Sequence, residues 1–223
     1  MVDPDGQKWE FANENLQKAF EEAVKAKGKK EWAAYQAIAN AKGVIKVGFG
    51  DLGKTQFGDT KITNINYSTS WDVKNGKKVN FKSELTVNGT ITIGSNKEAL
   101  DVGNFTDLVS ASAHEFTHVL TAMREAGVPG ASGLVPNDGL TEKEEDAGKQ
   151  SFPIESAAFG AQIQAEKAMI AKGNKPVTPD TSLGRANAEF GKLKTPTEKY
   201  DYLSKTYPNF KQPRPGPQPP KKK

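Results

Sequence analysis

Residues 106–126 read TDLVSASAHEFTHVLTAMREA, and this stretch decides the fold. Val109, Phe116, Leu120 and Met123 recur at helical spacing, which predicts one long helix from about Thr106 to Ala126. Asn104 is a cap at its start, and Gly127 with Pro129 beyond closes it. His114 and His118, the two histidines of the chain, lie four positions apart inside it. At 3.6 residues per turn their side chains stand about 40° apart, so both imidazoles can reach one ion. Phe116 points about 160° away from either, in line with the apolar stripe. Two histidines placed at random in such a chain fall four apart roughly once in a hundred cases, and Glu115 beside the first makes chance a poorer account still.

His114-Glu115-Phe116-Thr117-His118 thus joins two nitrogen ligands to a carboxylate that is placed to take a proton from a water acidified by zinc. A catalytic zinc site takes three protein ligands, and there is neither a third histidine nor a cysteine. The third ligand must be a carboxylate. Asp138, Glu142, Glu144, Glu145, Asp146, Glu155 and Glu166 follow the motif. Glu155 is the choice, because it stands alone among packing residues (Phe152-Pro153-Ile154-Glu155-Ser156-Ala157-Ala158-Phe159) and a buried carboxylate needs a partner. Complementing the positive N-terminus of its own helix is the other reading of Glu155.

Two histidines on one helix, followed some tens of residues later by Glu155 in a Glu-x-x-Ala setting ending at Ala158, resemble the gluzincin branch of zinc peptidases. The resemblance implies His114, His118 and Glu155 as Zn2+ ligands, Glu115 as general base, and a twisted sheet over the metal helix. It also implies that an edge strand pairs with an extended peptide substrate, here around Thr90 to Gly94. Members of that branch add a Tyr or His at the oxyanion, and Tyr200, Tyr202 and Tyr207 are open to that role.

Residues 10–27 and 30–41 carry apolar side chains at helical spacing, interrupted by Gly28, and predict two leading helices. Val44 to Phe49 predicts a buried strand. Residues 62–94 alternate with period two and carry Asn75-Gly76 and Asn88-Gly89, which predicts a three-stranded antiparallel meander. Keeping its apolar residues on one face favours three-residue loops, Lys74-Asn75-Gly76 and Val87-Asn88-Gly89, each with a glycine bulge. Residues 127–150 read as a loop with a short helix at 141–149, and helices follow from Ser151 to about Lys172, over 183–193 and over 196–206. The fold expected is α+β and zincin-like, with a mainly antiparallel sheet, over residues 8–207. Residues 208–223 read as a disordered Pro/Lys-rich tail.

Composition narrows the functional classes. With 26% charged and 35% hydrophobic residues the chain reads as a globular protein, and no run approaches the roughly 20 apolar residues of a membrane span. The net charge is only +4, and the lysines alternate with acids along helical faces, so neither nucleic acid nor membrane is an expected partner. No cysteine means no disulfide and no thiolate site.

The start lacks the basic and apolar stretches of a secretory signal. Val2-Asp3-Pro4-Asp5-Gly6 resembles the Asp-Pro-x-Gly junction that ends the core of Rhs-type polymorphic toxins. That resemblance makes residues 1–7 a junction remnant and Met1 an added initiator. It also implies delivery into a target cell within a larger Rhs shell, with an immunity protein as partner. The expected activity is hydrolysis of peptide bonds in a protein target. A cytosolic regulatory or housekeeping peptidase and a non-catalytic zinc-stabilised binding module are the alternatives.

Overall fold

The computed structural model describes residues 9–137, 150–207, 209–212 and 215. The junction residues 1–7, the short helix expected at 141–149 and most of the Pro/Lys-rich stretch lie outside them. Among the described residues the chain is a mixed α/β structure with six helices and one open four-stranded sheet.

The leading helical stretch begins later than its periodicity suggests. Trp9–Phe11 forms strand β1, and Asn13 then starts helix α1 (Glu14–Lys27) by accepting the Leu16 N–H at 2.9 Å. Strand pairing holds Glu10 and Phe11 out of the helix: they pair with Lys46 and Val47, while Trp9 beside them stacks on Tyr35 with centroids 5.0 Å apart. Gly28, at φ 147°, breaks α1 from α2 (Lys29–Ala39). Strand β2 (Ile45–Gly50) follows.

The expected meander is corrected. Residues 58–94 form two long strands, β3 (Gly58–Lys74) and β4 (Lys77–Gly94), and the sheet order is β1-β2-β4-β3. β1, β2 and β4 run parallel, and only β3 is antiparallel, so the sheet is mixed rather than mainly antiparallel. Asn75-Gly76 closes a two-residue turn with both residues at positive φ, 52° and 72°, the conformation that matches strand twist. The alternation is instead adjusted at Asn80 (φ 54°), where the register slips and brings Trp71 to Phe81, with centroids 6.2 Å apart.

Asn88-Gly89 makes no turn at all. Asn88 Oδ1 accepts the Val44 N–H at 3.1 Å, tying β4 to the entry of β2. Gly89 serves close approach, since a Cβ there would lie 2.7 Å from the Lys61 carbonyl oxygen. Thr90 to Gly94 is therefore interior, flanked by β2 and β3, and is no substrate edge; β3 is the edge strand on that side of the sheet.

Helix α3 (Phe105–Glu125) passes beneath β3 and β4, capped by Asn104 and followed by Gly127 at φ 69°. It is buried nearly all round, because α1 and helix α4 (Phe152–Ala171) pack on its flanks while the sheet covers it. Phe116 enters an aromatic core with Trp9, Phe20 and Tyr35. Helices α5 (Ser182–Phe190) and α6 (Pro196–Leu203) complete the fold. Past α6, Phe210 packs on Phe152 and Tyr200, and Gln150 bridges to it. No described helix is long and apolar enough to cross a membrane.

Candidate metal centre

His114 and His118 project from α3 toward the first turn of α4, where Glu155 meets them. His114 Nε2 lies 3.8 Å from Glu155 Oε2, and His118 Nε2 lies 3.9 Å from Glu155 Oε1. One donor atom from each residue falls within 4.8 Å of the others. Bonds of about 2.1 Å at tetrahedral angles set donors about 3.4 Å apart, so a shared ion would draw the three side chains slightly closer together. Glu155 is 4% exposed, and its Oε2 has no hydrogen-bond partner.

Burial sets the charge states. It holds His114 well below the usual imidazole range, helped by the neighbouring His118, and it lowers His118 to about 4. It raises Glu155 to about 7, with the Tyr207 hydroxyl beside it acting in the opposite direction. Two neutral imidazoles and a carboxyl whose Oε2 has no hydrogen-bond partner face one another in a low-dielectric site. The group can hold a metal ion.

Glu115 faces the sheet from the same helix. Gly58 on β3 touches it so closely that a Cβ would meet Oε1 at 2.2 Å, and Thr60 Oγ1 donates to Oε2 at 2.7 Å. Burial raises Glu115 to about 8; Thr60 opposes this, while Glu155 and Asp59 add to it. Phe57 and Phe159 stand edge-on to the His114 ring at 5.3 and 5.0 Å and fix its plane. His114 Nδ1 bonds to Gln162 Oε1 at 3.0 Å.

Of the carboxylates considered for the third ligand, the structure brings Glu155 to the histidines. Glu166 lies elsewhere, bonded to Asn187 and the Val177 N–H. Asp138, Glu142, Glu144, Glu145 and Asp146 lie outside the described residues. Among the three tyrosines, Tyr207 stands beside Glu155 and near Glu115, Tyr202 lines the cleft next to it, and Tyr200 stacks away between Phe152 and Phe210.

Gly58, Thr60, Gln162 and Lys27 escaped the sequence reading. Lys27 donates to Thr117 Oγ1 at 2.8 Å, and burial lowers its ammonium to about 8. No local pattern marks any of the four; each matters because the fold sets it against α3.

Two clefts open on the centre, both bordered by β3. One of about 550 Å³ includes Gly58, His114, Glu115 and Tyr207. The other, about 280 Å³, includes Thr60, Ile62, His118 and Glu155. The chain matches no family model, no curated protein and no solved structure.

Proposed function

We propose that the chain is a zinc-dependent endopeptidase of zincin type, with His114, His118 and Glu155 holding Zn2+ and Glu115 acting as general base. The observation that carries this reading is the buried Glu155 carboxyl, its Oε2 without a hydrogen-bond partner, set against two imidazoles kept neutral and with a second buried carboxyl beside them. Bound there, zinc would supply a Lewis acid that brings water near neutral acidity, polarises a carbonyl and favours the ionised form of nearby carboxyls.

The protein's own groups do the rest. Glu115, oriented by Thr60 and crowded by Gly58, takes the proton of the attacking water and delivers it to the leaving amine. Tyr207, which lines the larger cleft beside Glu155, donates to the developing oxyanion. β3 has no strand on its outer side among the described residues, and both clefts run along its Gly58–Ile62 segment. An extended polypeptide adding to that edge has room on either side of the scissile bond, which favours an endopeptidase. The Asp-Pro-x-Gly-like start adds the biological setting: a toxin delivered by an Rhs shell, with a protein target and a cognate immunity protein.

Elemental analysis and digestion of casein test this. One zinc per chain is expected, lost in His118→Ala. Glu115→Gln should keep the zinc and lower casein cleavage by at least about a thousandfold, the scale of a lost base together with its positioning. A wild-type chain that binds no metal sinks the proposal, and unchanged cleavage by Glu115→Gln reduces it to a zinc-stabilised binding module.

A further inference from the structure

A chain of buried side-chain amides runs from His114 on α3 through Gln162 on α4 and Asn187 on α5 to the Glu166 carboxylate, back on α4, and its direction can be read from the far end. Glu166 Oε1 accepts the Val177 backbone N–H at 3.2 Å, and Oε2 accepts from Asn187 Nδ2 at 2.7 Å. A carboxylate only accepts, so Asn187 must turn its NH2 toward Glu166 and its Oδ1 the other way. Gln162 Nε2 donates to that Oδ1. Gln162 Oε1 is thereby presented to His114 Nδ1 at 3.0 Å. An acceptor facing Nδ1 requires the proton there and leaves the lone pair on Nε2, the nitrogen directed at Glu155. Gln162 is fully buried and Asn187 is 5% exposed, so solvent offers little competition. Ser110 steadies the middle, accepting from Asn187 Nδ2 at 3.2 Å and donating to the Gln162 carbonyl at 3.1 Å.

We propose that Glu166 is a positioning residue for the metal centre, acting through Asn187 and Gln162 to hold His114 in its Nδ1–H tautomer with Nε2 free for the ion. The proposal rests on the metal-centre reading but makes a claim about the metal-free protein, where it can fail separately. Glu166→Gln is the decisive variant. The Val177 N–H keeps the new amide oxygen, so its NH2 must face Asn187. Both intervening amides then turn over, and Gln162 offers an NH2 to Nδ1.

Long-range 1H–15N correlation on 15N-histidine protein without metal reads this directly, since the chain has only two histidines. The wild type should show His114 protonated on Nδ1, and Glu166→Gln should move it to Nε2–H without changing His118. Zinc affinity by chelator competition should fall about tenfold or more, the range for lost outer-shell partners. Gln162→Met, which removes the acceptor, should abolish the Nδ1–H preference if Glu166→Gln does not fold. A wild-type His114 protonated on Nε2, or natively folded variants that leave its tautomer unchanged, would overturn the proposal. If no zinc binds while the tautomer shift occurs, the relay stands and the metal reading fails.

Discussion

Glu155 and Glu115 are held neutral by burial, and this gives the metal-free protein a pH signature. Their folded values, about 7 and about 8, lie above the ordinary 4.5, so their contribution is complete below 4.5 and is lost as pH rises through 8. His118, lowered to about 4 from 6.5, contributes above 6.5 and is lost as pH falls toward 4. From pH 6.5 toward 7.5 the two carboxyls dominate, with Lys27 at about 8 opposing them above that, so stability in a chelator should decline by roughly 1–2 kcal/mol per pH unit in total. Denaturant titrations should show that slope, and saturating zinc should flatten it because the ion replaces the protons. Gly58→Ala tests the neighbouring contact. Its Cβ would meet Glu115 Oε1 at 2.2 Å, and the carboxyl, being the movable end, must shift. Zinc content should stay the same while kcat falls about a hundredfold, as expected for a displacement near 1 Å.

At the scale of elements, the two long strands show where period-two reading stops. Alternation over 62–94 is real, yet alternation is the same whether a strand's partner is its sequence neighbour or a remote strand. Asn88-Gly89 therefore reads as a turn, although it is where β4 enters between β2 and β3, opposite a register shift in β3 between Ile62 and Asn64. Its glycine is required by the Lys61 carbonyl 2.7 Å from the position of a Cβ and by Ile62 at 2.8 Å. Gly89→Ala should open the β3–β4 ladder above α3 and cost about 2 kcal/mol, lowering Tm by roughly 4–8 °C in calorimetry. The helices were more legible because their signals are local. Asn104 before α3, Gly127 after it and Ser151 before α4 stand where the sequence puts them.

For the whole molecule, the centre joins α3, the start of α4 and, through Glu115, the edge strand β3, so an ion bound there would bridge elements distant in sequence. Because the ligands are assembled only by folding, zinc at a thousandfold excess over its Kd should add about 4 kcal/mol. That corresponds to a rise in Tm of roughly 10 °C by differential scanning fluorimetry. The rise should be reversed by a chelator and absent in His118→Ala. The histidine pair and the adjacent acid were legible in the sequence, because a 3.6-residue period fixes which side chains share a helix face. The sequence also singled out Glu155, since an isolated carboxyl in an apolar helix turn has to find a partner. Only the tertiary structure made β3 the edge over the site, set Gly58 and Thr60 on Glu115, separated Tyr207 from Tyr200, and ran Glu166 through two amides to His114. Those relations join segments whose spacing along the chain carries no geometric information until the core has closed around them.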